Sequence, residues 1–469
     1  MLFPTLAFHL FFVVVFLLAW ALRGSNEWRK IMLLAASWIF YGAWDWRFVL
    51  LLIGSGVVNW LAGLGIVAAE GRPAWRRLIL TLGLVLNLGV LGLFKYYNFF
   101  VTQIAPLVPG IEGHYVLPVI EVILPVGVSF FTFQGIGYLV DVYRGQTGPA
   151  RLLDLVLLMC FFPHLLAGPI VRPSHLIPQF QKVPVLTREM VASGLVLIVW
   201  GVFKKAVIAS EIQSSFVDPV FVDPSVHGSL DLLLAAYGYA VQIYCDFSAY
   251  TDTAIGLAAL LGYRFPRNFN QPYRAASLQD FWRRWHISLS SWLRDYLYIP
   301  LGGSRHGLLR MYFALSATMI LGGLWHGASW NFIIWGGIHG GALVAERLWR
   351  DLRPQWLPAL PRPLGVLVTF HLVTAAWIFF RCASFADAMA FFRGLGQMTP
   401  GAVSASPLVA GLMVLGMALH FGPADMVGRI ALRLRAAPAI VVALALASAL
   451  LVVEAMRPDG VAPFIYFQF

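Results

Sequence analysis

The chain has 469 residues, 59% of them hydrophobic and 12% charged, with a mean hydropathy of +0.76. Soluble domains carry roughly 25% charged residues, so a water-facing surface of this size is excluded. The formal net charge of +11 comes with no recognised nucleic-acid-binding motif; basic residues gather in the cytoplasmic loops of membrane proteins, and no nucleic-acid partner is expected.

Lipid leaves backbone N–H and C=O groups unmet, so only helices and closed barrels cross it. Barrel strands alternate apolar and polar residues; segments such as 6–22 and 439–453 do not. The fold class expected is therefore all-α and polytopic. Apolar segments run over 6–22, 31–43, 48–69, 78–94, 115–140, 152–168, 190–210, 229–262, 308–324, 328–345, 364–380, 405–421 and 437–455. With a span needing about 20 residues, they suggest eleven to thirteen transmembrane helices plus shorter re-entrant and interfacial ones. The first segment carries no charge and is followed by Arg23, Arg29 and Lys30. That is the wrong polarity for a cleaved signal peptide and places the N-terminus outside. Residues 31–43 and 48–69 suit a hairpin turning at Trp44, Asp45, Trp46 and Arg47. The basic loops at 72–77 and 144–151 read as cytoplasmic, and 229–262 is long enough for two elements. No repeat or soluble domain is visible. One membrane domain over 1–469 is the simplest reading, with N-terminal helices in 1–150, a core in 151–345 and C-terminal helices in 346–469.

The pattern breaks between residues 263 and 310, a stretch that is polar, aromatic and basic. Within it Trp282, Trp285, Leu289, Trp292 and Tyr296 recur at three- and four-residue steps, one stripe on a helix, while Arg283, Arg284 and Arg294 point elsewhere. Such a helix lies at interfacial depth. It either anchors the protein at the surface or dips in to line a cavity. His286, at the edge of the stripe and one turn from Trp282 and Ser290, favours the second.

Ionisable side chains in apolar segments are costly and are usually kept for function. His326 is the clearest, in Leu321-Gly322-Gly323-Leu324-Trp325-His326-Gly327-Ala328-Ser329-Trp330-Asn331. Glycines allow close approach, Trp325 and Trp330 can wall a pocket, and histidine moves protons near neutral pH. The alternative is a buried histidine bonded to a neighbouring helix. Asp246, in Tyr244-Cys245-Asp246-Phe247-Ser248-Ala249-Tyr250-Thr251-Asp252, can orient a histidine, bind a hydroxyl or cap a broken helix. His164, beside Pro163 and near Pro169, marks a bend and is a candidate tunnel residue. His9, His339, His371 and His420 are read as structural. Cys160, Cys245 and Cys382 stand alone, suggesting neither disulfide nor metal site. H-E-x-x-H, G-x-S-x-G, P-loop and dinucleotide signatures are missing. These residues alone fit an acyltransferase or a transporter equally.

Longer motifs go further. Asp246 to Asp252, then Phe281-Trp282-Arg283-Arg284-Trp285-His286-Ile287-Ser288-Leu289-Ser290, then Trp292-Leu293-Arg294-Asp295-Tyr296-Leu297-Tyr298-Ile299-Pro300-Leu301-Gly302-Gly303, then Gly323-Leu324-Trp325-His326-Gly327 resemble the bacterial membrane-bound O-acyltransferases. The likeness is nearest to the membrane subunits of alginate O-acetylation, with a weaker one to those of teichoic-acid D-alanylation. Leu124 to Gln134, Asp141 to Gly145, Phe161 to His164 and Pro463 to Phe469 fit the same family; over 350–460 the match is scattered.

The resemblance implies that His326 is the catalytic histidine and His286 its companion. It also implies helices around a thinner middle, with funnels from both faces meeting near the histidines. Asp246, Trp325, Trp330, Asn331, Trp282, Trp285, Ser290, Arg283, Arg284 and His164 become candidates for substrate or tunnel lining. The implied donor is a cytoplasmic thioester such as acetyl-CoA, with no tightly bound cofactor and no metal. The implied partner is an extracytoplasmic acetyltransferase of the SGNH type, in a bacterial inner membrane. Rival readings are acyl or aminoacyl transfer to peptidoglycan, cellulose or teichoic acid, and a transporter with a histidine proton relay.

Overall fold

A computed structural model of the chain describes residues 3, 5–107, 118–121, 123–354, 358 and 360–456. The C-terminal motif Pro463 to Phe469 and part of the 115–140 segment lie outside the described residues. Every regular element among the described residues is helical, as the backbone argument requires. Among the described residues six helices are long and apolar enough to cross a membrane, or up to seven if Pro407–Phe421 and Met426–Ala436, bent by 84°, form one span. The protein is thus an all-α, multi-pass membrane protein. Several segments form helices too short to cross alone, such as Leu152–Cys160, and others continue one another.

The chain divides into two compact units, Met1–Val191 with Leu257–Pro266, and Ala192–Gly256 with Arg267–Phe469. In the first, the expected hairpin is present: Asn26–Asp45 and Arg47–Ala68 turn at Trp46. The segment at 152–168 is broken as its prolines suggest. Leu152–Cys160 ends, Phe161 leaves helical geometry at ψ 108, and Phe162–Leu165 resumes. The Ser37 hydroxyl meets the break, accepting the Phe162 N–H at 3.2 Å while donating to the Leu33 carbonyl.

Arg29 and Lys30, read from sequence as loop charges, are instead fully buried in this unit. Arg29 donates to the Ala19 and Leu261 carbonyls and the Tyr263 hydroxyl. Lys30 pairs with Asp154 at 2.6 Å and with Glu27 at 2.9 Å. A buried charge without its partner is strongly destabilising, whereas an apolar replacement of the whole pair is often tolerated. Lys30→Met is therefore expected to lose about 3–5 kcal/mol, and Lys30→Met with Asp154→Leu to recover much of it. Thermal melting in detergent measures both; a double variant no better than the single would show that the ion pair is not what fixes this contact.

In the second unit, Arg188–Phe203 continues through wider π turns to Val222. The apolar stretch at 229–262, long enough for two elements, is one continuous 32-residue helix, Ser229–Leu260. Leu308–His326 and Trp330–Leu352 pack backbone against backbone. A Cβ on Gly323 would collide with the Phe332 carbonyl oxygen, and one on Gly336 with that of Met319.

Candidate active site

The aromatic, basic stretch is not the single helix that its periodicity suggested. Leu278–Trp282 stops, and Ile287–Leu293 begins after His286, whose φ of 42° is left-handed. The cause lies in the preceding extended segment. The Asn270 N–H donates to the Arg284 carbonyl and the Ile287 N–H to the Asn268 carbonyl, both at 2.9 Å. The Asn268 side-chain oxygen accepts the Ser288 N–H at 3.0 Å and the Ser288 hydroxyl at 2.8 Å. It caps the second helix in the way a local Asn or Ser usually does. Two short helices keep the same three- and four-residue spacing, so the stripe survives the break: Trp285, Leu289 and Trp292 are buried.

This bracket places His286 in the interior with 0% exposure, its ring 4.7 Å from Phe247 and 6.2 Å from Trp325. Neither of its ring nitrogens has a hydrogen-bond partner among the described residues. A non-glycine residue in left-handed geometry costs of order 1–3 kcal/mol, and such residues cluster at functional sites.

His326 is the last residue of Leu308–His326 and is 4% exposed. Its ring lies 5.0 Å from Trp325 and 5.2 Å from both Trp335 and Phe380. Gly327 follows in extended geometry, where a Cβ would strike the Phe332 ring. Trp325 thus touches both histidines. They share one buried aromatic cluster, which continues through Trp335 to Trp377 and His339 and through Trp377 to Trp285. An imidazole here can take a proton from a hydroxyl, and a second can face the charge that develops, away from bulk water. Among the described residues no group of three His, Cys, Asp or Glu side chains could hold a metal ion.

The other candidates separate. Trp282 joins the cluster, 5.8 Å from Trp335. Ser290 donates to the Trp285 carbonyl, and Asn331 to the Cys382 carbonyl at 2.8 Å, so both brace backbone near the histidines. Trp330 is 39% exposed at the start of its helix. Arg284 is tied to Asp280 at 2.8 Å, whereas Arg283 is exposed. Asp246 sits in mid-helix, which removes the capping role; its carboxylate pairs with Lys205 at 2.9 Å. His164 lies in the first unit, within 2.8 Å of the Gln134 side chain and 2.9 Å of the Leu158 carbonyl.

Sequence reasoning passed over Lys204 and Lys205. Lys204 reaches Ser248 and Asp252, each at 2.7 Å. Two lysines inside the apolar 190–210 stretch carry the same signal of intramembrane charge that singled out His326. Trp335, Phe380 and Trp377, by contrast, look like ordinary apolar residues in sequence.

A buried pair of histidines in an aromatic cluster is compatible with acyl transfer, and comparison with known proteins identifies the class. Residues 146–385 match the model of the membrane-bound O-acyltransferase family. The chain is 42% identical to a protein of Azotobacter vinelandii named probable alginate O-acetylase, over 81% of this chain and 75% of that one. It is 37% identical to a peptidoglycan O-acetyltransferase of Helicobacter pylori, over 78% and 73%. It is 29% identical to a teichoic acid D-alanyltransferase of Bacillus subtilis, over 60% and 74%. The chain belongs to the membrane-bound O-acyltransferase family and is a membrane O-acyltransferase. That membership decides between the acyltransferase and transporter readings.

Removing the Asn268 bracket tests whether the broken helix serves the chemistry. Asn268→Ala is expected to cost about 1 kcal/mol and, by moving His286, to slow acyl transfer about tenfold or more. Thermal stability and transfer rate are read on the same preparation. Wild-type transfer from a destabilised variant would separate the bracket from catalysis.

Proposed function

We propose that this enzyme takes an acetyl group from a cytoplasmic thioester, acetyl-CoA, for the O-acetylation of an exported polysaccharide such as alginate. The observation that carries this reading is the placement of both His326 and His286 beside Trp325, in a chain with extensive identity to proteins named as alginate O-acetylases. His326 removes the proton of an acceptor hydroxyl as its oxygen attacks the thioester carbonyl. His286, whose ring nitrogens are uncommitted among the described residues, donates to the tetrahedral oxyanion. Collapse expels the thiolate, which takes the proton from His326. The aromatic walls exclude water, which suppresses hydrolysis of the thioester. Exposed Arg283 offers charge for the donor's phosphates. The acceptor we assign is a serine on an extracytoplasmic SGNH-type partner, which passes the group to the polymer.

The test uses radiolabelled acetyl-CoA with inner membranes that contain the protein and its partner. His326→Ala is expected to lower transfer about 10²–10⁴-fold at unchanged abundance, and His286→Ala to leave a measurable remainder. Equal label from wild type and His326→Ala rejects the assignment of the base. Label on polymer without any labelled partner moves the acceptor to the sugar itself.

Exposed Arg23, directly after the first helix, supports an N-terminus outside the bacterial inner membrane. A reporter at Asn26 is then expected to read cytoplasmic. A periplasmic signal would invert the topology.

A further inference from the structure

Buried histidines in the second unit fall into two kinds. His420 is partly satisfied: its Nδ1 lies 3.1 Å from the Gly416 carbonyl one turn back, and only its Nε2 is left without a partner among the described residues. His339 is different. It has 0% exposure, and neither ring nitrogen has a hydrogen-bond partner among the described residues. A neutral imidazole carries one N–H donor and one acceptor nitrogen, and burying either unmet is unfavourable.

Two neighbours share this condition. The Trp335 and Trp282 rings lie 4.6 Å and 5.2 Å from the His339 ring, and the Nε1–H of each is likewise buried without a partner among the described residues. Packing alone would be served as well by a phenyl ring. Three adjoining nitrogen-bearing rings, all with unmet hydrogen-bonding capacity, fit a small polar guest. They offer an N–H donor from each indole and an acceptor nitrogen from the imidazole, which suits a water molecule that accepts two hydrogen bonds and donates one. Trp335 is also a wall of the presumptive base, 5.2 Å from the His326 ring.

We propose that His339 is a positioning residue: with the Trp282 and Trp335 N–H groups it holds a buried water that fixes the Trp335 ring and, through it, the imidazole of His326. This rests on the acetyl-transfer reading above. No bond is made or broken at His339; its work is to keep the base aligned.

The experiment compares purified wild type, His339→Phe and His339→Gln in acetyl transfer from acetyl-CoA, with His326→Ala as the control. Phenylalanine keeps the ring and its packing but has no nitrogen; glutamine keeps a donor and an acceptor. His339→Phe is expected to lower kcat about tenfold or more with KM for the thioester within about twofold, the pattern of a lost alignment rather than lost binding. His339→Gln is expected to recover most of that loss. Wild-type kcat in His339→Phe, or a His339→Gln no better than His339→Phe, overturns the proposal and leaves His339 a packing residue. Should His339→Phe fold poorly, Trp335→Phe makes the comparison by deleting one N–H, and an unchanged kcat there overturns the proposal equally. Failure of the transfer reading is separately visible: wild type would be inactive, or His326→Ala fully active, and this inference would fall with it.

Discussion

Close approach of Leu308–His326 to Trp330–Leu352 is the constraint on which the site depends. Gly323 and Gly336 let the two backbones touch, and Gly327 lets the chain pass the Phe332 ring directly after His326. Within a bilayer, helix association relies on such contact, because apolar side chains gain little by leaving lipid for protein. The contact also sets the chemistry. It brings Trp335, from the second helix, to 5.2 Å from the last residue of the first. A methyl group at any of these three glycines would push the helices apart, or the turn outward, and move His326 with them.

His286 reaches the same cluster by a different route. Its helix is interrupted rather than packed close, and the interruption is held by Asn268, twenty residues before the Ser288 that it caps. One histidine is thus placed by the meeting of two long helices and the other by a short bracket. A site built this way has both rings fixed from the backbone outward, as the proposed general-base and oxyanion roles require.

Sequence legibility follows the range of the forces involved. Long apolar helices were legible because each records its lipid environment residue by residue, and the turn at Trp46 because it interrupts that record. His326 was legible as an ionisable group flanked by glycines in an apolar stretch. The break at His286 was not, because three- and four-residue spacing is the same for one helix as for two short ones, and the cap that breaks it comes from outside the stripe. Burial of Arg29 and Lys30 was hidden for a related reason: a basic residue after an apolar run looks alike whether it faces water or an aspartate that lies 124 positions on. His339 resembled the histidines that bond their own helix, as His371 does at the Leu367 carbonyl, and only its unmet nitrogens set it apart.

The paired charges on Arg188–Phe203 with its continuation and on Ser229–Leu260 bear on how the protein enters the bilayer. Lys204 meets Asp252 and Lys205 meets Asp246. A single lysine or aspartate at the centre of a membrane helix costs about 2.5–3.5 kcal/mol on insertion scales. Lys204 and Lys205 on the first and Asp246 and Asp252 on the second would each carry that cost unpaired. Brought together they cancel, and the short connection between them makes the encounter local. The two elements are therefore matched as a pair, and a charge lost from one arm leaves its partner on the other buried and unmet.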